Sequence, residues 1–229
     1  NPTRDGYIFG GWYDNKDFLG NKITIIDTNN MNDLTLYAQW IINENSTYKV
    51  EHYQESLSGV FEIFETENLS GTTHSFVEAQ VKYYPGFTFN QEVSGTIISG
   101  EISEDGLLVL RVYYLRNTYP LRVDNDNPLF GSISEQSGSI KYDEKVLLSA
   151  IPNLGYTFMG WYNGEVLISD SVEYEFNMPS YSLDLTAKFS TQTFNITYVL
   201  NSGINNINNP NHFTINDLPL ILFAPTREG

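Results

Sequence analysis

The sequence contains no cysteine and few cationic side chains, and each shortage excludes a class of function. Without cysteine the chain has no disulfide, no thiolate ligand for zinc and no cysteine nucleophile. Lysine and arginine together number 12 against 28 acidic residues, so the formal charge is −16. Such an acidic surface repels phosphate backbones and anionic lipids. Nucleic acid and the membrane surface are therefore excluded as expected partners.

Long apolar runs and helical periodicity are also missing. No hydrophobic stretch is long enough to cross a bilayer, so we expect no membrane insertion within these 229 residues. Alanine and lysine are sparse, whereas Tyr, Phe, Thr, Ser and Asn are abundant, and this composition favours strands. The chain starts at Asn1 rather than at methionine, and we expect it to be a segment of a longer polypeptide.

Motifs for catalysis are missing as well. The sequence has no G-x-S-x-G, no H-E-x-x-H and no phosphate-binding glycine loop. The histidines are dispersed, with His52 and His74 in the predicted unit 47–117 and His212 in 191–229, and this dispersal disfavours a triad or a histidine metal site. Several glutamates alternate along predicted strands and are expected on the solvated face, where a general acid is not desolvated. These glutamates are Glu51, Glu55, Glu62, Glu65 and Glu67. We therefore predict that the protein is not an enzyme and needs no cofactor.

What the sequence does contain is a phrase that occurs twice. Residues 6–15 read GYIFGGWYDN, and residues 155–164 read GYTFMGWYNG. A second phrase follows each copy, LYAQW at 36–40 and LTAKF at 185–189. Two phrases that recur together indicate a repeated structural unit.

Large aromatic residues occupy matching places in the two copies. Trp12 and Trp40 are 28 residues apart, and so are Trp161 and Phe189. Aromatic and β-branched residues alternate with small or polar ones around them, which is the period of a half-buried strand. We interpret these four residues as structural core anchors. The alternative is an aromatic platform for a sugar ring.

Glycines accompany the first tryptophan of each phrase. Gly10, Gly11 and Gly160 leave room for a bend or for a close backbone approach beside the indole. Asp14-Asn15 and Asn163-Gly164 are turn dipeptides that tolerate a positive φ. Each phrase is therefore predicted to be a strand followed by a tight turn.

The first phrase pair resembles a known bacterial repeat. PTRDGYIFGGWY at 2–13, followed by LYAQW at 36–40, is similar to the second half of an internalin B-repeat, also called the Listeria–Bacteroides repeat. Residues 118–190 resemble a divergent member of the same group. This resemblance implies small β-grasp-like modules, strung in tandem on proteins of the bacterial surface.

The end of the chain repeats its beginning, since APTREG at 224–229 matches NPTRDG at 1–6. Residues 191–229 thus resemble the first half of a further B-repeat. A half module cannot bury enough apolar surface alone and leaves a strand edge unpaired. We therefore expect neighbouring repeats as partners, or head-to-tail self-association of separate copies.

Residues 47–117 resemble the repeat of mucin-binding proteins, which also implies a β-grasp-like fold. The matching segments are YKVEHY at 48–53, YPGFT at 84–88, SGTI at 94–97 and VYYLRN at 112–117. Within this unit we predict a hairpin of 48–53 with 60–66 through Ser58-Gly59, a short helix within 71–79 and a central strand at 107–114.

The complete prediction is an elongated tandem array of mostly β modules of the α+β, β-grasp-like kind. The four predicted units are 1–42, 47–117, 118–190 and 191–229. The predicted function is a non-catalytic stalk of an adhesin-like protein at the bacterial cell surface or cell wall.

The alternative function is a binding module for glycans or for host proteins. Exposed aromatic rings stack on sugars, and Tyr83, Tyr84, Tyr113 and Tyr114 are the candidate ligand contacts, although they could equally pack the core. For a metal, the candidates are Asp124 and Asp126, because alternating carboxylates can ligate Ca²⁺. That run lacks the glycine and distal glutamate of a recognised calcium loop, and ordinary turn chemistry explains it equally.

Overall fold

The computed structural model describes residues 1–28, 32–134 and 136–227. It divides the chain into two compact units, the first spanning Asn1–Arg116 and the second starting at Asn117. The described residues form strands, turns and one 3₁₀ turn at Ile215–Asp217, with no α-helix among them. The prediction of a mostly β chain is thus confirmed.

The described residues of the first unit form eight strands in three sheets. Strands β1 and β2 form an antiparallel pair, and the order β4-β3-β8-β6 gives a four-stranded sheet in which β3 and β8 are parallel. A short pair, β5 with β7, completes the unit. The bounds are β1 (Tyr7–Tyr13), β2 (Tyr37–Ile42), β3 (Ser46–Glu55), β4 (Phe61–Gly71), β5 (Phe76–Glu78), β6 (Phe87–Phe89), β7 (Ser99–Glu101) and β8 (Val109–Arg116).

In the second unit, ten strands occur among the residues that the structure describes. Its main sheet has the order β11-β9-β16-β13-β14, with β9 and β16 parallel. A three-stranded sheet, β10-β12-β15, and a short pair, β17 with β18, complete the unit. The bounds are β9 (Thr118–Asn125), β10 (Gly131–Ile133), β11 (Gly138–Lys141), β12 (Lys145–Pro152), β13 (Tyr156–Asn163), β14 (Val166–Ser169), β15 (Glu173–Asn177), β16 (Leu183–Thr191), β17 (Phe194–Asn195) and β18 (His212–Phe213).

Each unit has one apolar core, built from alternating residues of its parallel strands. Leu110 and Val112 of β8 and Val50 of β3 are buried in the first unit, whereas the residues between them face outward. In the second unit, Leu185 of β16 and Leu148 of β12 are both fully buried, and so the two sheets share this core. Period-two burial of this kind is what the sequence pattern predicts.

The repeated phrase folds the same way in both places. β1 pairs with β2, and β13 pairs with β16, each antiparallel and each with a bulge after the phenylalanine. The bulge is followed by Gly11 in one copy and by Gly160 in the other, with φ of 136° and 137°. These positive values are readily available only to glycine.

The middle region agrees with most of its local predictions. The 48–53 and 60–66 hairpin is confirmed, because β3 pairs with β4 across a turn at Gly59. The central strand is also confirmed, since β8 lies between β3 and β6. The predicted helix within 71–79 is wrong. Residues Phe76–Glu78 are extended, because their backbone pairs with Ser99–Glu101 and so satisfies its hydrogen bonds across strands.

Some predicted features are not covered in full. Residues 29–31 of the long connection between β1 and β2 lie outside the described part of the chain, and so do the last two residues of the repeated tail motif at 224–229. The four predicted domain boundaries stay predictions.

Candidate functional site

Three aromatic rings form a compact corner in the second unit. Phe158 meets the indole of Trp161 edge-on at 5.6 Å between ring centroids, and it meets Phe189 edge-on at 5.5 Å. Trp161 has no exposed surface, and Phe189 is also buried. Edge-to-face pairs of this kind stabilise a core beyond the area that they bury. An indole closed off from solvent cannot serve as a platform for a sugar.

The same corner occurs in the β1–β2 pair. Phe9 lies 5.4 Å from Trp12 and 5.7 Å from Trp40, both edge-on with an interplanar angle of 65°. Here both indoles are half-buried, because no second sheet of the kind formed by β10-β12-β15 covers the pair among the described residues. The four predicted anchors therefore share one geometry and differ in burial.

The four candidate ligand tyrosines do not form one surface. Tyr114 is buried and packs edge-on against Tyr84 at 5.0 Å, on the core side of the sheet. Tyr113 points to the opposite face, where its ring stacks on Tyr53 at 4.6 Å. Tyr83 is 85% exposed, the most exposed of the four. Of the four, Tyr114 is thus closed to a ligand, Tyr83 is exposed, and Tyr84 and Tyr113 are half-buried on opposite faces of the sheet.

A polar network lies inside the first unit, centred on a fully buried histidine. His52 Nδ1 lies 3.0 Å from the Tyr114 hydroxyl, and His52 Nε2 lies 2.8 Å from Glu67 Oε1. The backbone N–H of Lys82 donates to the same tyrosine hydroxyl over 2.9 Å. This set fits a neutral imidazole that carries its proton on Nε2, donates it to Glu67 and accepts from Tyr114 at Nδ1.

The network continues through a lysine to a second glutamate. Lys82 Nζ lies 2.7 Å from Glu65 Oε1 and 3.1 Å from Glu67 Oε1, and the Tyr84 hydroxyl donates to Glu65 Oε2 over 2.6 Å. The hydrogen bond from His52 and the neighbouring Lys82 hold the pKa of Glu67 below its usual value. Lys82 and the Tyr84 hydroxyl lower the pKa of Glu65.

The pKa values of the partners Lys82 and Tyr84 are shifted upward. The carboxylate of Glu65 raises the pKa of Lys82. Burial, followed by the hydrogen bond to Glu65, raises the pKa of Tyr84 well above its usual range. Lys82 is thus shared by the two carboxylates, and each carboxylate also accepts a hydrogen bond, which is the arrangement that makes half-buried polar groups tolerable in a small core.

The placement of the two glutamates differs from the prediction. Glu65 and Glu67 lie on the side of β4 that faces His52 and Lys82, whereas the sequence pattern predicts the solvated face. The reason is the pairing register, in which Glu67 lies opposite Val50 and Glu65 lies opposite His52. The pattern signals that carboxylates alternate, but it does not signal which face is buried.

Of the two candidate calcium residues, Asp124 has its carboxylate paired with an arginine. Asp124 Oδ2 lies 2.7 Å from Arg122 Nε in an exposed ion pair, and the backbone N–H of Asp126 donates to the carbonyl of Ala187. Across residues 1–28, 32–134 and 136–227, no group of three or more metal-ligating His, Cys, Asp or Glu side chains occurs. The calcium hypothesis stays a prediction without structural support.

The three histidines have unrelated surroundings. His52 is buried in the network, while His74 lies at the surface between two glutamates, with Nδ1 2.7 Å from Glu101 and Nε2 3.2 Å from Glu104. Glu101 and then Glu104 raise the pKa of His74. His212 is exposed in β18. The expectation that they form no common site agrees with this arrangement.

The network around His52 is the feature that sequence reasoning missed. His52 and Tyr114 are 62 positions apart, and Lys82 enters from a third segment. One signal was available, because His52 falls in phase with Tyr48 and Val50 on the apolar side of its strand. A polar residue at an apolar position needs a buried partner.

Two family profiles match parts of the chain. Residues 1–39 match the Listeria-Bacteroides repeat domain, and residues 122–193 match the divergent InlB B-repeat domain. The predicted relationship to these bacterial repeats is thereby confirmed for both stretches. Such repeat families are typically non-catalytic. The resemblance of residues 47–117 to mucin-binding repeats stays a prediction.

Two proteins of Evansella cellulosilytica are similar to most of the chain. One, whose name describes it as a Gly-rich membrane protein, is 23% identical over 206 residues, which is 88% of this chain and 23% of that protein. The other, named as a membrane protein, is 24% identical over 206 residues, which is 86% of this chain and 28% of that protein. The chain spans about a quarter of the length of these curated relatives.

The relatives' names raise the question of a membrane anchor. In the described ranges we find no helix with the length and apolarity that a membrane crossing requires.

Proposed function

We propose that these residues form a non-catalytic spacer in an adhesin-like protein of the bacterial cell surface or cell wall. The observation that carries the proposal is the aromatic corner, which occurs twice with the same bulge, the same glycine and the same ring geometry. A motif that is reused for packing in more than one module indicates a structural role. The match of both stretches to bacterial repeat domains supports the same role.

We also propose that the modules are β-grasp-like and follow one another in an elongated array. In both units the first strand of a module pairs in parallel with its last strand at the centre of the sheet, as β3 does with β8 and β9 with β16. In the first sheet β4 and β6 flank this pair, and in the second sheet β11 lies on one side while β13 and β14 follow on the other. This shared topology supports a common module. The proposed role needs no cofactor.

Small-angle X-ray scattering tests the array. A compact globule of 229 residues has a radius of gyration of about 17 Å. We expect a clearly larger value and a scattering profile typical of a rod. A radius near that of the globule, at concentrations where sedimentation shows a single monomer, contradicts the spacer proposal.

Neighbouring repeats are the proposed partners. In the second unit β16 has a partner on each side, β9 and β13, whereas β2 pairs only with β1 among the described strands. An unpaired edge accepts another strand. We expect this edge to pair with a strand from a neighbouring repeat, or from a second copy in a head-to-tail contact. Sedimentation velocity over a hundredfold concentration range tests the second case, which predicts growing species.

A second candidate function is the binding of a glycan or host protein by the middle region. The stacked Tyr53 and Tyr113 rings favour it, since they are half-exposed and lie beside Glu51, whose carboxylate accepts from the Tyr53 hydroxyl over 2.6 Å. A ring and an adjacent carboxylate are groups that bind sugars. A glycan array that compares the native chain with Tyr113→Ala tests this function, and a signal that survives the substitution assigns binding elsewhere.

A further inference from the structure

Two glycines occupy equivalent places at the start of the aromatic strands. Gly6 and Gly155 lie three residues before Phe9 and Phe158, with φ of 74° and 85°. The carbonyl of Gly6 accepts from the backbone N–H of Asn43 over 2.9 Å. In the second copy, the carbonyl of Gly155 accepts from Gln192 over 2.8 Å. Each glycine thus accepts a hydrogen bond from a residue at which the chain passes from one predicted module to the next.

The segment that follows packs directly onto the glycine in the first unit. A methyl group added at Gly6 would lie 2.8 Å from Cγ2 of Thr73 and 3.0 Å from Cα of Glu104. Both residues belong to the middle region, beyond the connection at Asn43. A contact of this kind with backbone cannot be relieved by rotating a side chain.

Thr73 is the centre of this contact. It is 1% exposed, and its hydroxyl lies 3.0 Å from the carbonyl oxygen of Gly6 and 3.2 Å from that of Asn43. The buried hydroxyl of Ser46 lies 2.6 Å from the hydroxyl oxygen of Thr73. The backbone N–H of Thr73 also donates to Asn43 over 2.9 Å. One buried threonine therefore joins β1, the connection and the start of β3.

The second copy uses an apolar contact at the same place. A methyl group at Gly155 would lie 2.8 Å from Cβ of Ile215. The 3₁₀ turn that carries Ile215 borders an apolar cavity of about 200 Å³. Its lining residues are Leu154, Gly155, Phe194, Phe213, Ile215 and Leu218.

We propose that the glycine at the start of each aromatic strand is a socket for the segment that follows along the chain. In this proposal Thr73 fills the socket of Gly6, and Ile215 fills the socket of Gly155. Filling the socket couples the stability of the two segments, so that a module and its C-terminal neighbour open together. The inference rests on these contacts and holds whether or not the chain is a spacer.

The requirement for glycine has two physical sources. The positive φ is strained for any other residue, and the missing side chain is the space into which the neighbour packs. Other glycines in the chain have the first property without the second. Gly20 and Gly164 have φ of 82° and 59°, and a methyl group at either would meet nothing within 4 Å. They are matched controls for the strain.

Hydrogen exchange of the full 229-residue chain, read by peptide mass spectrometry, tests the first socket. The substitution Thr73→Val lies outside the aromatic pair and removes one hydroxyl, so an effect on β1 and β2 must pass through the contacts of that hydroxyl with Gly6, Asn43 and Ser46. We expect the amides of β1 and β2 to exchange about tenfold faster, because the carbonyls of Gly6 and Asn43 each lose one of their donors. The control Thr66→Val, at an exposed position of β4, leaves them unchanged.

The second socket is tested in the same experiment. We expect Gly155→Ala to speed exchange about tenfold in the peptides that cover β17, β18 and the 3₁₀ turn, because the added methyl displaces Ile215. Gly164→Ala also places an alanine at a positive φ, has no neighbour to displace and leaves these peptides unchanged. Two outcomes overturn the proposal. Either Thr73→Val leaves β1 and β2 at the native rate, or the two glycine variants affect the C-terminal peptides equally.

Discussion

The β1–β2 pair and the β13–β16 pair contain the same motif in two different surroundings. Their ring separations agree within 0.2 Å, at 5.4 and 5.6 Å for the phenylalanine and the first tryptophan. The second pair lies within a five-stranded sheet and shares its core with a second sheet, while the first pair is a two-stranded sheet. Trp161 is consequently sealed from solvent, and Trp12 is half-buried.

This difference separates two contributions to a folded motif. The bulge, the glycine and the ring angles are local, since they are the same with or without a covering sheet. Burial depends on strands that come from elsewhere in the chain. Most of the stabilising free energy of an indole comes from the apolar area that it buries. The two copies should therefore differ in energy while they agree in geometry.

The largest expected effect is the removal of the buried indole. We expect Trp161→Ala to lower the free energy of unfolding of the second unit by about 3–5 kcal/mol, the usual cost of a large aromatic cavity. Trp12→Ala should cost the first unit less than half as much, because its indole already contacts water. Urea unfolding followed by hydrogen exchange in each unit gives both values. Equal losses would show that burial does not distinguish the copies.

A milder substitution sharpens the same comparison. The indole nitrogen Nε1 of Trp161 is buried without a hydrogen-bond partner among the described residues. Replacing the indole by a ring without nitrogen therefore removes no hydrogen bond. We expect Trp161→Phe to lose about 1–3 kcal/mol, from reduced volume alone. A loss as large as that of Trp161→Ala would instead indicate that the indole nitrogen matters.

The bulge glycines are the next pair to compare. An added methyl at Gly160 would lie 2.8 Å from the backbone carbonyl of Ser169, whereas one at Gly11 would meet the flexible side chain of Lys22 at 2.8 Å. Both have the same backbone strain, and only the first contact cannot relax. We expect Gly160→Ala to destabilise its unit by about 1–3 kcal/mol more than Gly11→Ala does. Paired thermal melts monitored by circular dichroism provide the measurement.

The network in the middle region should respond to acid. The pKa of Glu67 is lowered in the folded protein from an ordinary value of 4.5, through its contact with His52 and with Lys82. Its contribution to stability is present above that value and is lost as the pH falls through the folded pKa. We therefore expect protection of β3 and β8 to weaken below about pH 4.5.

The measurement must use amide exchange, because the three tryptophans lie outside this region and their fluorescence does not report on it. Glu67→Gln should flatten the acid response of β3 and β8 after correction for intrinsic exchange rates. Glu62→Gln is the control, since Glu62 is exposed on the same strand. An unchanged acid response in Glu67→Gln contradicts the prediction.

The smallest effect concerns pH at the first socket. The pKa of His74 is raised above its usual 6.5, chiefly by Glu101 and then by Glu104. Its contribution is present below pH 6.5 and is lost as the pH rises through the folded value. We expect a slight loss of protection near Thr73 above pH 6.5 and none near Ile215, where the contact is apolar. The side chains are exposed, so the change should be small.

Replacement of the histidine checks this origin. His74 has a φ of 66°, which asparagine tolerates better than most residues, so His74→Asn removes the charge with little added strain. The variant should show no pH dependence near Thr73 above pH 6.5. A pH dependence that persists in the variant would assign the effect to another group.

Much of the local structure could be predicted from the sequence. Alternation and turn residues indicated the β3–β4 hairpin and the central strand β8, and the glycine beside each tryptophan indicated a bend in the strand. The segment 71–79 was predicted incorrectly as a helix. Short apolar stretches are ambiguous between helix and strand, and the pairing of β5 with β7 resolves the ambiguity through residues more than twenty positions away.

The candidate sites were less predictable than the strands. Tyr113 and Tyr114 are adjacent in sequence and lie on opposite faces of β8, so a cluster of tyrosines in the sequence is not a cluster in space. The pairing of His52 with Glu67 depends on the register of two strands. The contact of Thr73 with Gly6 depends on how a whole module meets its predecessor. The alternation in β3 signals only that His52 needs a buried partner, and the contact of Thr73 with Gly6 leaves no local signal.

The amino-acid sequence by itself determined the β character, the repeated aromatic strand and the glycines that it requires. These features arise from steric preferences and side-chain periodicity over a few residues. The tertiary structure alone decided which copy of the tryptophan is sealed from water, which glutamates meet a buried histidine and which side chain fills each glycine socket. Those outcomes depend on contacts between distant segments, whose free energy is gained only when the chain brings them together.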